Sequence, residues 1–107
     1  MPDIHIKKLV NQIFEIIYKR NQNEDLAPID RNLERIIDHL RELGWQIHNP
    51  LGEKFTDTRT DLEANIIGDL QEDNMVITKV IKPILYKTDE NGTQIVQKAV
   101  VIVEPKK

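Results

Sequence analysis

Neither cysteine nor serine occurs in this chain of 107 residues. The first absence excludes disulfides, thiolate nucleophiles and cysteine-ligated zinc, and it fits a reducing compartment. The second excludes serine nucleophiles and the triads built on them. Aromatic residues are scarce, and Phe14, Tyr18, Trp45, Phe55 and Tyr86 are too dispersed for a base-stacking platform. Gly44, Gly52, Gly68 and Gly92 are too widely spaced to cradle a phosphate. No apolar run approaches a membrane span, and the opening M-P-D-I-H-I-K-K has no signal-peptide core. Positive charge is not in excess either. A net charge of −3 and an isoelectric point of about 5.6 leave no footprint for nucleic acid or an anionic membrane. The expectation is a cytoplasmic protein with no nucleic-acid partner and no membrane contact.

What is present falls into two parts with different periods. Between Ile4 and Tyr18, apolar residues fall at Ile6, Leu9, Val10, Ile13, Phe14 and Ile17, the spacing of a helix with a broad stripe. Lys7, Lys8, Gln12, Glu15 and Lys19 take the other side. R-N-Q-N-E-D reads as a loop. A second helix is predicted to begin near Pro28 or Asp30, with Ile29, Leu33, Ile36, Ile37, Leu40 and Leu43 as its stripe. Gly44 supplies the left-handed residue that ends it, and Trp45 is placed to fold back on the last turn.

Beyond Trp45 helical spacing stops. Asn49-Pro50-Leu51-Gly52 is a turn, and the polar stretch from Glu53 to Asp61 is irregular and pinned by Phe55. Leu62, Ile66, Ile67 and Leu70 are too few to decide between a short helix and a strand. From Met75 to Tyr86, and again from Ile95 to Val103, β-branched residues alternate with a period of two. Pro83 breaks or bulges the first run, or places it at an edge. Asn91-Gly92 is the predicted positive-φ pair of the turn between the runs. Both faces of the closing run are largely apolar. It therefore rolls into a small barrel or sandwich, or keeps one face for a partner.

The predicted fold class is α+β: a helical hairpin over residues 1–48, then a small all-β domain over residues 49–107. Each half is small enough to be marginal alone. Two wide stripes cannot be buried on each other, and two copies of the hairpin would close a four-helix bundle. The competing solution packs the helices on the chain's own sheet.

Residues for covalent chemistry are hard to find. His5, His39 and His48 lack ligand spacing, and surface or partly covered positions suit them better than metal ligation. Asp57, Asp61 and Glu63 form the densest acidic cluster, but Arg59 stands where a calcium loop needs an oxygen. Lys79, Lys82, Lys87 and Lys98 either form a basic patch or guard sheet edges. No catalytic residue, metal or cofactor is assigned, and the chain is not expected to be an enzyme.

Three segments carry a family resemblance. Leu33 to Leu43, L-E-R-I-I-D-H-L-R-E-L, is followed by Gly44; P-L-G-E-K-F spans Pro50 to Phe55; Tyr86 to Val103 forms a closing hairpin with a central Ala99 and terminal Val103. In this order they resemble GrpE, the nucleotide-exchange factor of DnaK-type chaperones. The first would be the last bundle helix, the second the link into the β domain. Ile4 to Arg20 would correspond to the first bundle helix. The resemblance implies a homodimer that opens the chaperone's ATPase domain by docking its β domain there, so that ADP dissociates. By match to the hairpin, partner contacts would be Lys82, Tyr86, Gln97, Lys98 and Val103. Dimer contacts would be Ile13, Phe14, Ile17, Leu33, Ile37 and Leu40. The family's long coiled-coil helix has no counterpart here, and Gln97-Lys98 replaces its usual basic residue. Those departures suit an alternative, a dimeric interaction adaptor with the same fold and no exchange activity. A third reading, a small enzyme or carrier, needs a pocket gathering Asp57, Arg59, Asp61 and a histidine.

Overall fold

The broad N-terminal stripe forms helix α1, Asp3–Gln22, in the computed structural model, which describes residues 3–68 and 74–106. Asp3 in its first turn and Lys19 and Arg20 in its last complement the helix dipole. The polar stretch predicted as a loop is partly ordered as a 3-10 helix, Glu24–Ile29, capped by Asn23, whose side chain accepts the Asp25 N–H at 3.0 Å. This turn runs into helix α2, Asp30–Glu42, without a side-chain cap. Asp30 serves another purpose: its carboxylate takes two bonds from Arg20, at 2.8 and 3.0 Å, tying the end of α1 to the start of α2.

Gly44 ends α2 as its sequence position requires. Its φ is +91°, and its N–H donates to the Arg41 carbonyl at 3.0 Å. The chain then enters strand β1, Trp45–His48, and Trp45 is buried against Ile6 and Val10 of α1, with half-buried Leu40 of α2 beside it. The undecided segment is strand β2, Leu62–Ile66; Leu70 lies outside the described residues. Strands β3 (Met75–Lys82), β4 (Ile84–Asp89), β5 (Gly92–Gln97) and β6 (Ala99–Pro105) follow.

The six strands make two sheets, ordered β1-β4-β5 and β2-β6-β3. The run from Ile95 to Val103, read as one strand, is two strands in different sheets. Its partner run divides likewise at Pro83. The long hairpin is therefore bent at its middle: β4 and β5 pair in one sheet, β3 and β6 in the other. Pro83 supplies no N–H to continue the ladder, and Gln97 fills the corner by donating from Nε2 to the Pro83 carbonyl at 2.9 Å. Bulges after Ile77, Val80 and Leu85 add the bend that a sheet-switching strand needs. At the hairpin tip, Gly92 alone has positive φ, at +107°. Asn91 does not share it; its N–H instead donates to Asp89 Oδ1 at 2.8 Å, an Asx turn that leaves the left-handed residue to glycine.

Two clusters hold these layers together. Ile6 and Val10 bury against Trp45 and Leu85, so half of the α1 stripe is covered by the chain's own sheet. Phe55, Leu62, Met75, Ile77, Val80, Ile84, Ala99, Val101 and Val103 form the other cluster, with Phe14 and Tyr86 packed on it. The helical hairpin thus packs on the β half through Ile6 and Val10. A boundary after His48 would also part β1 from β4, with which it pairs in register.

Candidate interaction site

Five residues carry the contact surface implied by resemblance, and the fold divides them. Lys82 and Lys98 are exposed, and Tyr86 is half-buried against the second cluster. Gln97 is occupied: it exchanges bonds of 3.2 and 3.0 Å with the Asn11 amide while holding Pro83. Val103 is wholly buried in the core, facing the same side as Val101 and Ala99, and cannot touch a partner in this fold. The alternation of β6 explains the correction, because its inward residues are Ala99, Val101 and Val103.

The outward residues of β6 are Val100 and Ile102, both half-buried. Register places Glu63 and Lys82 on either side of Val100, and Asn65 and Lys79 on either side of Ile102. Directly opposed residues share a face, so these six form one surface. It has an apolar middle, lysines along β3, and an acid and an amide along β2. This arrangement suits recognition of a folded partner through a small apolar contact framed by charge. Sequence reasoning missed Val100, Ile102, Glu63 and Asn65; the signal was the even-numbered half of the closing run, unreadable without knowing which half faced inward.

The dimer residues divide as well. Leu33 is buried, Phe14 packs on one cluster of the chain's own core and Leu40 on the other, so none of the three is fully free for a second copy. Ile13, Ile17, Ile37 and Leu40 are half-buried. Leu9 and Ile16 are exposed on α1, as are Ile4 and Tyr18, and Ile36 is exposed on α2 with Leu43 at its C-cap. Leu9, Ile13 and Ile16 follow an i, i+4, i+7 line on α1; Ile36, Leu40 and Leu43 follow the same line on α2.

One polar network joins the Gly52–Asp61 region to the sheets. Arg59 grips Asp61 through bonds of 3.0 and 2.8 Å, reaches Glu53 at 3.1 Å, and donates to the Lys54 carbonyl at 3.1 Å. His48 meets the other Glu53 oxygen at 2.6 Å. The hydrogen bonds from Arg59 hold Asp61 below the usual carboxylate range, against an opposing effect of burial. Asp57 is exposed and has no part in this network. The network acts as a clasp between the end of β1 and the start of β2. None of its residues lines the clefts between α1 and β3.

Those clefts lie between α1 and β3. One of about 320 Å³ is lined by Phe14, Glu15, Tyr18, Lys19, Lys79, Val80 and Ile81. Its neighbour, of about 420 Å³, shares Phe14, Tyr18, Lys79 and Val80 and extends to Leu51 and Thr78. Lys87 belongs to neither cleft. It lies over the Trp45 ring, 5.1 Å from its centroid, with Asp3 3.9 Å away. Among the described residues, no group of three or more metal-ligating side chains could hold a metal, and no helix is long and apolar enough to cross a membrane. Comparisons with protein-family models, curated proteins and solved structures find no match for this chain.

Proposed function

We propose that this protein is a GrpE-like co-chaperone that binds a DnaK-type ATPase domain through its β half and promotes ADP release. The observation that carries the reading is the order of its parts. A helical hairpin stopped by Gly44 leads through Pro50–Phe55 into a β half closed by the Tyr86–Val103 hairpin. The docking face is the outer surface around Val100 and Ile102, with Lys82 and Lys98 beside it and Tyr86 supporting the bent hairpin from below. Catalysis of exchange needs no bond chemistry. It needs a surface that binds the open ATPase domain better than the closed one, since a ligand shifts an equilibrium only by its differential affinity.

The same reading makes the active form a homodimer, with the helices of two copies closing a four-helix bundle. The lines Leu9–Ile13–Ile16 and Ile36–Leu40–Leu43 favour this, because both match the alternating 4-and-3 spacing by which packed helices interlock. The location that suits such a partner is the cytoplasm.

The test is release of a fluorescent ADP analogue from a purified DnaK-type ATPase domain. Faster release with added protein, lost in Val100→Glu, is expected. Unchanged release at saturating protein refutes the exchange activity. The internal commitment of Gln97 and the burial of Val103 favour the second reading, a dimeric adaptor that keeps the docking face and lacks exchange. Binding to a different protein, abolished by Val100→Glu while ADP release stays unaffected, would select it.

A further inference from the structure

We infer that the free edge of β3 beside α1 is a docking slot for an extended peptide segment of acidic and apolar residues. β3 is the outer strand of its sheet, and its open side is used along part of its length. Gly52 donates to the Ile77 carbonyl at 2.9 Å, Ile77 donates to Glu53 at 3.0 Å, and Phe55 donates to Met75 at 2.9 Å. That short extended segment stops at Ile77. From Thr78 to Lys82 no described backbone pairs with β3 on the side away from β6. The opening is five residues long, about 16 Å at strand rise, which matches the commonest strand length.

The slot has walls. Phe14 and Tyr18 of α1 stand opposite Val80, and Leu51 closes the end next to Ile77. A strand laid there would put alternate side chains into the two clefts, as edge-strand recognition requires. Its charge is selected by the rim. Among the described residues, Lys19 and Lys79 line the opening outside any ion pair, against one lining carboxylate, that of Glu15. Lys82 continues the basic edge.

The lysines and the bulges after Ile77 and Val80 are also devices that keep like edges apart. They repel a second copy, whose own edge is basic, and admit an acidic strand; the bulges confine main-chain pairing to a short stretch between them. Affinity therefore depends on side chains in the clefts as much as on the ladder. The slot runs along the edge of the sheet whose outer face carries Val100 and Ile102, shares Lys79 and Lys82 with that face, and needs no chaperone.

The experiment is an amide NMR titration of the whole protein with a capped hexapeptide of alternating glutamate and valine. Its counterpart with lysine in place of glutamate is the control. Shifts confined to residues 14–19 and 78–82 are expected with the acidic peptide alone. Lys79→Glu, an exposed change, should lower that affinity by about five-fold at low salt, less near 0.5 M salt, and improve binding of the basic peptide. Absence of shifts, equal shifts with both peptides, or shifts clustered on another edge would overturn the assignment. Peptide-independent shifts at 78–82 that grow with protein concentration would overturn it too, by placing a second copy there.

Discussion

Replacing Gly44 by alanine should damage this protein far more than the same change at Gly52 or Gly92. All three glycines have positive φ, at +91°, +84° and +107°. An alanine forced into that region costs about 1–2 kcal/mol at each. The surroundings differ. A Cβ at Gly44 would stand 2.5 Å from the Thr88 carbonyl oxygen, whereas nothing lies within 4 Å at Gly52 or Gly92. The contact falls on backbone, so relief requires the end of α2 to move away from β4. Such forced displacement costs about 1–3 kcal/mol. It also stretches the 2.7 Å bond from the Thr88 N–H to the Gly44 carbonyl, worth about 1 kcal/mol.

The expected losses are therefore about 3–6 kcal/mol for Gly44→Ala and about 1–2 kcal/mol for each control. Against a domain stability of about 5–15 kcal/mol, the first is a large fraction. The single tryptophan, Trp45, adjoins the site and is buried, so urea unfolding followed by its fluorescence reports the change directly. The gain from restricting the unfolded chain is common to all three variants and cancels in the comparison. Equal losses at Gly44 and Gly52 would refute the close approach between helix end and sheet.

Two further outcomes follow from the core and the clasp. Ile84→Ala, at a wholly buried position in the bent hairpin, should cost about 3 kcal/mol in urea unfolding, because a cavity opens between the sheets. The carboxylate of Asp61 is held below its ordinary value, so its stabilisation is full above about pH 4 and is lost as pH falls through the depressed value. Asp61→Asn should consequently lower stability at neutral pH by about 1–2 kcal/mol and flatten the acid limb of a stability–pH curve. A variant with the same acid limb as the parent would show that Arg59 makes no net contribution through Asp61.

The helices were legible because their signal is local. Leu33, Ile37 and Leu40 recur at helical spacing, and Gly44 has few uses other than as a helix stop. The bent hairpin was not legible. Ile95 to Val103 alternates without interruption, and nothing in Gln97-Lys98-Ala99 says that the strand changes sheets there. That choice is made by distant residues: β1 pairs with β4, β2 pairs with β6, and each sheet claims its own half of the hairpin. Assigning faces to the closing run depended on the same information, so a match by resemblance named Val103 and left Val100 unnamed. The clasp was half visible, since Arg59 and Asp61 stand two residues apart. Glu53 and His48 join them only through folding.

The covered half of the α1 stripe also sets how tightly a dimer can form. Leu9, Ile16, Ile36 and Leu43 are 49%, 42%, 41% and 72% exposed. Full burial of such a side chain is worth about 1.5–3 kcal/mol, so covering what remains exposed contributes about 1 kcal/mol each and roughly 8 kcal/mol across two copies. Association itself costs about 4–15 kcal/mol. The exposed residues alone therefore roughly balance this cost, and the half-buried Ile13 and Ile37 must add to any net affinity. A dimer built this way is no tighter than about micromolar and dissociates on dilution. Leu43→Glu should abolish self-association in sedimentation equilibrium while leaving monomer stability within about 0.5 kcal/mol, because Leu43 touches little of its own chain. A parent protein still monomeric near millimolar concentration would leave these helix faces without a second copy. One still dimeric at nanomolar concentration would require contacts beyond the two helical lines.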